Sequence, residues 1–173
     1  MPKKPPVHEL EFLKICRNHA ELASKLNSLG LSSPDVFAYA QYVCACWFEL
    51  AEVHLQEAKA ADAASCPRAA MSRAYYAAYN ASKAARYIVK GAVSLKGDDH
   101  SAASAELPDD LPDVEQWAQD ITVLYEHRLR ADYDHWADTQ MSNTLTTGQA
   151  ITLAERFIDE VRGYVNGKFG HTL

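Results

Sequence analysis

The sequence predicts an all-α fold, a mostly antiparallel bundle of about five long helices. Apolar residues recur every three or four positions through the long segments, which is the spacing of helices that bury one face. Glycine and proline are scarce inside these segments and cluster between them, where helices begin and end. Most connections are short, as they are between antiparallel neighbours in a bundle.

The first two helices are predicted at about 8–29 and about 35–62. The first stops at Gly30. The second follows a Ser-Pro-Asp run at 33–35, which supplies an N-cap, a proline in the first turn and an acid near the positive end of the helix dipole. These start and stop signals agree with the apolar spacing.

Three further helices are predicted at about 67–90, 113–138 and 147–166. The first of them is rich in alanine, which lets neighbouring helices approach closely. It is followed by a polar connection, residues 91–112, in which HSAASAEL is the candidate for a short helix. A connection this long in a compact domain is either functional or mobile.

The chain is about one domain long and can bury a sizeable core. We expect an N-terminal helical extension at 1–33, the helical bundle at 34–167 and a tail at 168–173. The apolar positions of the extension have to be buried, either against the bundle or against a second subunit.

Composition limits the kinds of partner. A net charge of −6 argues against a surface that coats nucleic acid or membranes, although a local basic site remains compatible with it. The four cysteines form no CxxC pair, and MPKKPPVHEL lacks the features of a secretory signal, so we expect a cytoplasmic protein. The longest apolar stretch is interrupted by Gln41 and is too short to span a bilayer comfortably.

The end of the fourth helix, YEHRLRADYDHWADT at 125–139, carries the most informative charges. Projected at about 100° per residue, the apolar stripe that starts at Trp117 continues into three polar residues on the same face, Arg128, Asp132 and His135. Arg130 projects well round the helix from that face. An arginine on an inward face has to be hydrogen-bonded to persist there.

Three interpretations fit this pattern. Asp132 pairs with Arg128 one turn away on a helix that has emerged into solvent, or the face binds a partner, or it handles phosphate. Cleavage of RNA by its own 2′-hydroxyl needs a proton carrier with a pKa near neutrality, such as His135, and a fixed cation for the phosphorane oxygens, such as Arg128. That chemistry needs no metal, and the sequence has no HExxH, zinc-spaced Cys/His pairs, GxxxxGK[ST], GxGxxG or GxSxG. We therefore expect neither a metal nor a cofactor.

The third helix adds candidates for substrate binding. Arg73, Tyr76 and Asn80 share one face and could line a groove for RNA or a nucleotide, with Tyr76 stacking on a base. The alternative is that the tyrosines of this helix pack the core.

Two more candidates have similar alternatives. Lys83, with Arg86 and Lys90, gives the helix end a positive edge for a phosphate backbone, or simply complements the helix dipole. His100, in the long connection, is a candidate substrate contact and second proton carrier, or a residue that packs locally.

Two segments together resemble the HEPN family, the small helical domains of prokaryotic defence and toxin–antitoxin systems. SRAYYAAYNASKAARYIVKG at 72–91 is similar to the family's S-R-x-Y-Y-A-x-[FY] helix, and LYEHRLRADYDH at 124–135 to its L-x-x-x-R-x-x-A-D-Y helix. Between them lies Asp99-His100-Ser101, in which His100 is similar to the histidine that often opens the family's intervening segment. The resemblance covers roughly residues 38–165.

The resemblance implies a HEPN-like bundle, a homodimer and an activity. Catalytic members have an arginine, four to six residues and then a histidine, and cleave RNA without metal across a dimer interface. Arg130 and Arg128 both satisfy this spacing with His135; the A-D-Y register and the helical projection favour Arg128. The expected function is a metal-independent endoribonuclease of a defence or toxin–antitoxin locus, in which His135 moves protons, Arg128 stabilises the phosphorane and Asp132 orients the pair.

Many members with the A-D-Y pattern lack a suitably placed histidine, and they are taken to be non-catalytic modules. The second expectation is therefore a module that binds a nucleotide or a nucleotidyltransferase partner. A third is a purely structural bundle, in which Arg128, Asp132 and His135 form a closed internal network.

Overall fold

A computed structural model describes residues 18–30, 34–94, 99–134 and 145–170. Within these ranges the chain forms six α-helices, which are α1 (His19–Ser28), α2 (Pro34–Ala63), α3 (Pro67–Lys90), α4 (Ala102–Ala105), α5 (Val114–Tyr133) and α6 (Thr147–Phe169). Outside the helices, the only β-type pairing in this part of the chain is one isolated antiparallel bridge between Asn18 and Ala92. The predicted all-α fold is confirmed.

Helix α3 is the central element and contacts α2, α5 and α6. Its alanines allow this arrangement, because the distance between two packed helices depends on the size of the side chains at their contact. Seven of them are completely buried, namely Ala70, Ala74, Ala77, Ala78, Ala81, Ala84 and Ala85. The larger core side chains, such as Phe48 of α2, Leu124 of α5 and Phe157 of α6, pack around this helix.

The helix boundaries on either side of α3 follow local signals. Three residues separate the end of α2 from the start of α3, so the two helices form an antiparallel hairpin. Pro67 occupies the first turn of α3, and Gly91 ends it in the left-handed conformation with φ of 76°. At α6, Thr146 and Gln149 form a reciprocal capping box.

Within the described residues, the helix predicted at about 8–29 is present from His19 onward. Helix α1 begins only at His19, because Asn18 is its N-cap and accepts a 3.0 Å hydrogen bond from the backbone N–H of Glu21. His19 is buried and its Nε2 donates to the carbonyl oxygen of Tyr87 at 2.9 Å. The described part of the extension therefore packs against the bundle, while residues 1–17 lie outside the described part of the chain.

Helix α5 also differs from the prediction of 113–138, because it ends at Tyr133 and Asp134 is extended, with φ of −73° and ψ of 123°. Its last turn is held by Arg68, whose Nε donates to the carbonyl oxygen of Ala131 at 2.6 Å. A projection that treats the helix as continuous therefore cannot place His135 beside Arg128. His135 itself lies outside the described residues.

The 91–112 connection contains α4, at the predicted position, and it packs on α3 and α5. Among the helices that the structure describes, none is both long and apolar enough to cross a membrane.

Candidate functional site

Arg128 lies near the end of α5 and is held between elements. It is 8% exposed, and its guanidinium carbon lies over the rings of Tyr76 and Tyr133, at 5.4 Å and 5.3 Å from their centres. Its Nη2 donates a 2.7 Å hydrogen bond to the Tyr76 hydroxyl. Contact with both tyrosines fixes the plane of the guanidinium before any ligand binds.

Asp132 approaches the same guanidinium. Its Oδ2 lies 2.8 Å from Arg128 Nε, an ion-pair distance, and also accepts a 3.4 Å hydrogen bond from Ser72. The Nε–H is not directed at that oxygen, so this buried nitrogen has no hydrogen-bond partner within the described residues. Two of the predicted features therefore coexist, the pair one turn apart and an inward-facing arginine.

The charge of Arg128 is stable. Burial alone would lower the pKa of its guanidinium, but the Tyr76 hydroxyl and the Asp132 carboxylate outweigh it and the pKa is raised. The site therefore has a permanent cation in a fixed orientation. The other candidate arginine, Arg130, is exposed, in agreement with the helical projection.

His100 lies in the same cluster of aromatic rings. Its Nδ1 is 2.8 Å from the Tyr75 hydroxyl, and its ring stacks on Tyr125 with centres 5.7 Å apart. Its ring centre is also 6.2 Å from that of Tyr76, the tyrosine that binds Arg128. Burial, and then the charge of Arg128, lowers the pKa of His100, so this imidazole is neutral near pH 7.

Asp99 anchors the chain next to His100. Its carboxylate is 7% exposed, accepts a hydrogen bond from the Tyr79 hydroxyl, and accepts a second from Arg86 Nη2 at 3.2 Å. Burial would raise the pKa of Asp99, but the bond from Tyr79 and the charges of Lys83 and Arg86 lower it instead. Asp99 is thus an ionised residue that ties the connection to α3.

The predicted positive edge of α3 is reduced to Lys90, because Lys83 and Arg86 face the Asp99 carboxylate. Arg86 is 3% exposed and Lys83 is 9% exposed, with its Nζ 3.9 Å from Asp99 Oδ1 and over the ring of Trp47. Both side chains point inward because a buried carboxylate attracts them. Lys90, farther along the helix, is exposed, at 4.0 Å from the carboxylate of Asp109.

Arg73 and Asn80 lie on either side of Tyr76. Arg73 is exposed and pairs with Glu57 of α2 at 3.3 Å. Asn80 is 6% exposed, and its Nδ2 donates to the carbonyl oxygen of Tyr76 at 2.8 Å. Tyr76 itself contacts the rings of Tyr75, Tyr79, His54 and His100 as well as Arg128. Its ring is therefore part of the packed cluster, as in the alternative that the sequence left open.

Two contacts of the cluster were not predicted from the sequence. Tyr133 follows Arg128 by five positions, whereas helix rules pair residues three or four apart, so no spacing indicates that contact. The bond between Tyr75 and His100 joins a helix to a connection and has no sequence signal. The burial of His127, which is 1% exposed, was also not predicted.

The site combines a fixed cation, Arg128, with a neutral imidazole, His100, and both pack against tyrosine rings. Such a site suits an anion attached to an apolar ring system, since arginine binds phosphate through paired N–H groups and aromatic rings stack on bases. Within the described ranges, no three His, Cys, Asp or Glu side chains are grouped as metal ligands would be.

The fold and site thus define a small all-α domain with an arginine- and tyrosine-lined cluster at the junction of α3, α5 and the connection. The family model of the HEPN domain matches residues 45–164, most of the chain, and this protein belongs to the HEPN family. HEPN domains are associated with ribonuclease activity or nucleotide binding, and they often dimerise. No curated protein and no solved structure matches the chain.

Proposed function

We propose that this protein is a metal-independent endoribonuclease that cleaves single-stranded RNA and that Arg128 binds the scissile phosphate. The supporting observation is the guanidinium of Arg128, which is buried, permanently charged and held in place by Tyr76 and Asp132. A cation that is oriented in advance stabilises the charge that develops on the phosphorane without reorganising during the reaction.

His135 is the proposed proton carrier, on the strength of its spacing from Arg128 in the sequence. Its imidazole takes the proton of the attacking 2′-hydroxyl and later protonates the departing 5′-oxygen. The products are a 2′,3′-cyclic phosphate and a 5′-hydroxyl. Asp132, in contact with both Arg128 and Ser72, restrains the arginine.

The biological setting is part of the proposal. Because HEPN domains often dimerise, we infer a homodimer. We further propose that it acts in the cytoplasm, within a defence or toxin–antitoxin locus. A nucleotidyltransferase is the proposed partner that restrains the nuclease.

One observation favours a second function, a non-catalytic module that binds a nucleotide or that nucleotidyltransferase. Helix α5 ends at Tyr133, so helical geometry does not bring His135 to Arg128. Without a proton carrier beside it, Arg128 would bind a phosphate and leave it intact.

Cleavage of single-stranded RNA in EDTA separates the two functions. We expect the wild type to cut and to leave cyclic-phosphate ends, and His135→Ala to lose about 100-fold or more in rate. Loss of cleavage by the wild type in EDTA, with activity restored by a divalent cation, would refute the metal-independent mechanism. If the wild type and the variant bind RNA equally and neither cuts, the binding module is the correct function.

A further inference from the structure

Tyr133, a large aromatic residue beside Arg128, is mostly exposed to solvent. The side chain is 70% exposed, whereas the other aromatic residue among the exposed large apolar residues of the described chain, Phe37, is 37% exposed. An exposed aromatic ring has a face on which an unpaired base can stack.

Among the described residues, the ring of Tyr133 contacts a cation and no other ring. The guanidinium carbon of Arg128 lies over it at 5.3 Å, and among the described residues it has no aromatic neighbour. Tyr76, on the inner side of the same guanidinium, is instead packed against several rings. Of the two tyrosines, Tyr133 is therefore the more accessible to a ligand, whereas the sequence suggested Tyr76.

We propose that Tyr133 and Arg128 form a nucleotide subsite, in which an unpaired base stacks on the Tyr133 ring while Arg128 binds the adjoining phosphate. The phosphate contact rests on the proposed function; the stacking contact stands on the exposure and position of Tyr133. Base and phosphate belong to one nucleotide, so a ring and a cation in contact with each other can bind both at once.

The subsite defines a substrate class. Stacking accepts every base, because each has an aromatic face, but the base has to leave its partner strand to reach the ring. The subsite therefore selects single-stranded nucleic acid over a duplex and gives no strong base preference.

Binding is measured on an oligonucleotide that cannot be cleaved, so that the result does not depend on catalysis. A short single strand with 2′-O-methyl riboses and one 2-aminopurine reports affinity by titration and stacking by fluorescence quenching. We expect Tyr133→Ala to bind about tenfold more weakly and to lose the quenching, because one base–aromatic stack is worth about that factor. Tyr133→Phe keeps the ring and is expected to match the wild type, as is Phe37→Leu, a matched change at the other exposed aromatic residue.

Salt dependence separates a direct role of Tyr133 from an effect through Arg128. Loss of one phosphate contact lowers the slope of log affinity against log salt by about 0.7 for a single strand. Arg128→Gln is expected to lower the slope by that amount, and Tyr133→Ala to leave it unchanged.

Four results would overturn the subsite. The first is that Tyr133→Ala binds the single strand as tightly as the wild type, and the second is that it loses as much affinity for the annealed duplex as for the single strand. The third is that the salt dependence of binding falls in Tyr133→Ala as it does in Arg128→Gln. The fourth is that the wild type does not bind the single strand. If Tyr133→Ala instead changes only the oligomeric state in sedimentation, the ring belongs to an interface between two copies of this chain. Absence of RNA cleavage, by contrast, would refute the nuclease and leave the subsite standing.

Discussion

Asp99 is a buried carboxylate whose partners are two cationic side chains and a tyrosine. Asp99→Asn keeps the shape of the side chain but leaves Arg86, which is 3% exposed, without a full counter-charge. Breaking a buried pair in this way costs about 3–5 kcal/mol, so we expect the free energy of unfolding in urea to fall by that amount. Asp109→Asn is the matched control. Asp109 is fully exposed, and its carboxylate is 4.0 Å from Lys90, the longest distance that counts as an ion pair. Equal stability of the two variants would contradict the buried network.

The sequence predicts that Arg128 lies on the buried face of its helix, but it does not predict which residues surround it. The position of Arg128 on the apolar stripe follows from the 3.6-residue period, which is a local property of one helix. The contacts of His100 with Tyr75 and Tyr125 join residues from three separate segments. Contacts of that kind arise from packing, and no spacing along the chain reports them.

The junction of α1 with the end of α3 is an element whose stability depends on one glycine. At Gly91 the backbone is left-handed, with φ of 76°, and an added Cβ would lie 2.4 Å from the Cβ of Ala20. We expect Gly91→Ala to lower the free energy of unfolding by about 1–3 kcal/mol, because both the backbone and the helix contact oppose a side chain.

Gly163→Ala is the control for that change. Gly163 lies inside α6 and an added Cβ would meet no atom within 4 Å. There the better helix propensity of alanine should raise the free energy of unfolding by about 0.5–1 kcal/mol. A Gly91→Ala variant as stable as the wild type in thermal and urea unfolding would show that α1 does not pack at this position.

Element boundaries are predictable where the signal is local. Pro67, Gly91 and the Thr146–Gln149 box act within one turn, and the sequence places those helix ends correctly or nearly so. The end of α5 depends instead on a distant contact, the bond of Arg68 to Ala131. Sequence spacing cannot contain that information.

The whole molecule carries a pH dependence from its histidines. His19, His100 and His127 each have a pKa below the ordinary value, with burial as the largest cause. The unfolded chain has an ordinary histidine pKa of about 6.5 and so binds more protons than the folded chain just below that pH. We therefore expect the free energy of unfolding to fall as the pH falls from about 7.5 to 5.5, by at most about 1.4 kcal/mol per pH unit for each histidine.

Urea unfolding across that pH range measures the effect, and His127→Gln provides the comparison. That variant removes a titrating group that is 1% exposed, so its stability should depend less steeply on pH. A free energy of unfolding that stays constant or rises toward pH 5.5 would contradict the burial of these imidazoles. The lowered pKa of Asp99 adds a further loss only at more acidic pH, as that carboxylate becomes protonated.

The fold of the whole molecule is well predicted because its helices are long, periodic and separated by clear breaks. The candidate site is predicted only in part, because it is assembled by α3, the 91–112 connection and the end of α5. The sequence predicts candidate residues in each of these segments, but it does not predict the contacts between them.

The most direct test of the account compares Arg128→Gln with Arg130→Gln in the cleavage of single-stranded RNA. Both substitutions remove one positive charge from the same helix, two residues apart, but Arg128 is 8% exposed and bound to Tyr76 whereas Arg130 is exposed. We expect Arg128→Gln to lower kcat/KM by about 100-fold or more. Arg130→Gln should stay within a small factor of the wild type. Equal losses, or a larger loss in Arg130→Gln, would contradict the assignment of Arg128 as the phosphate-binding residue.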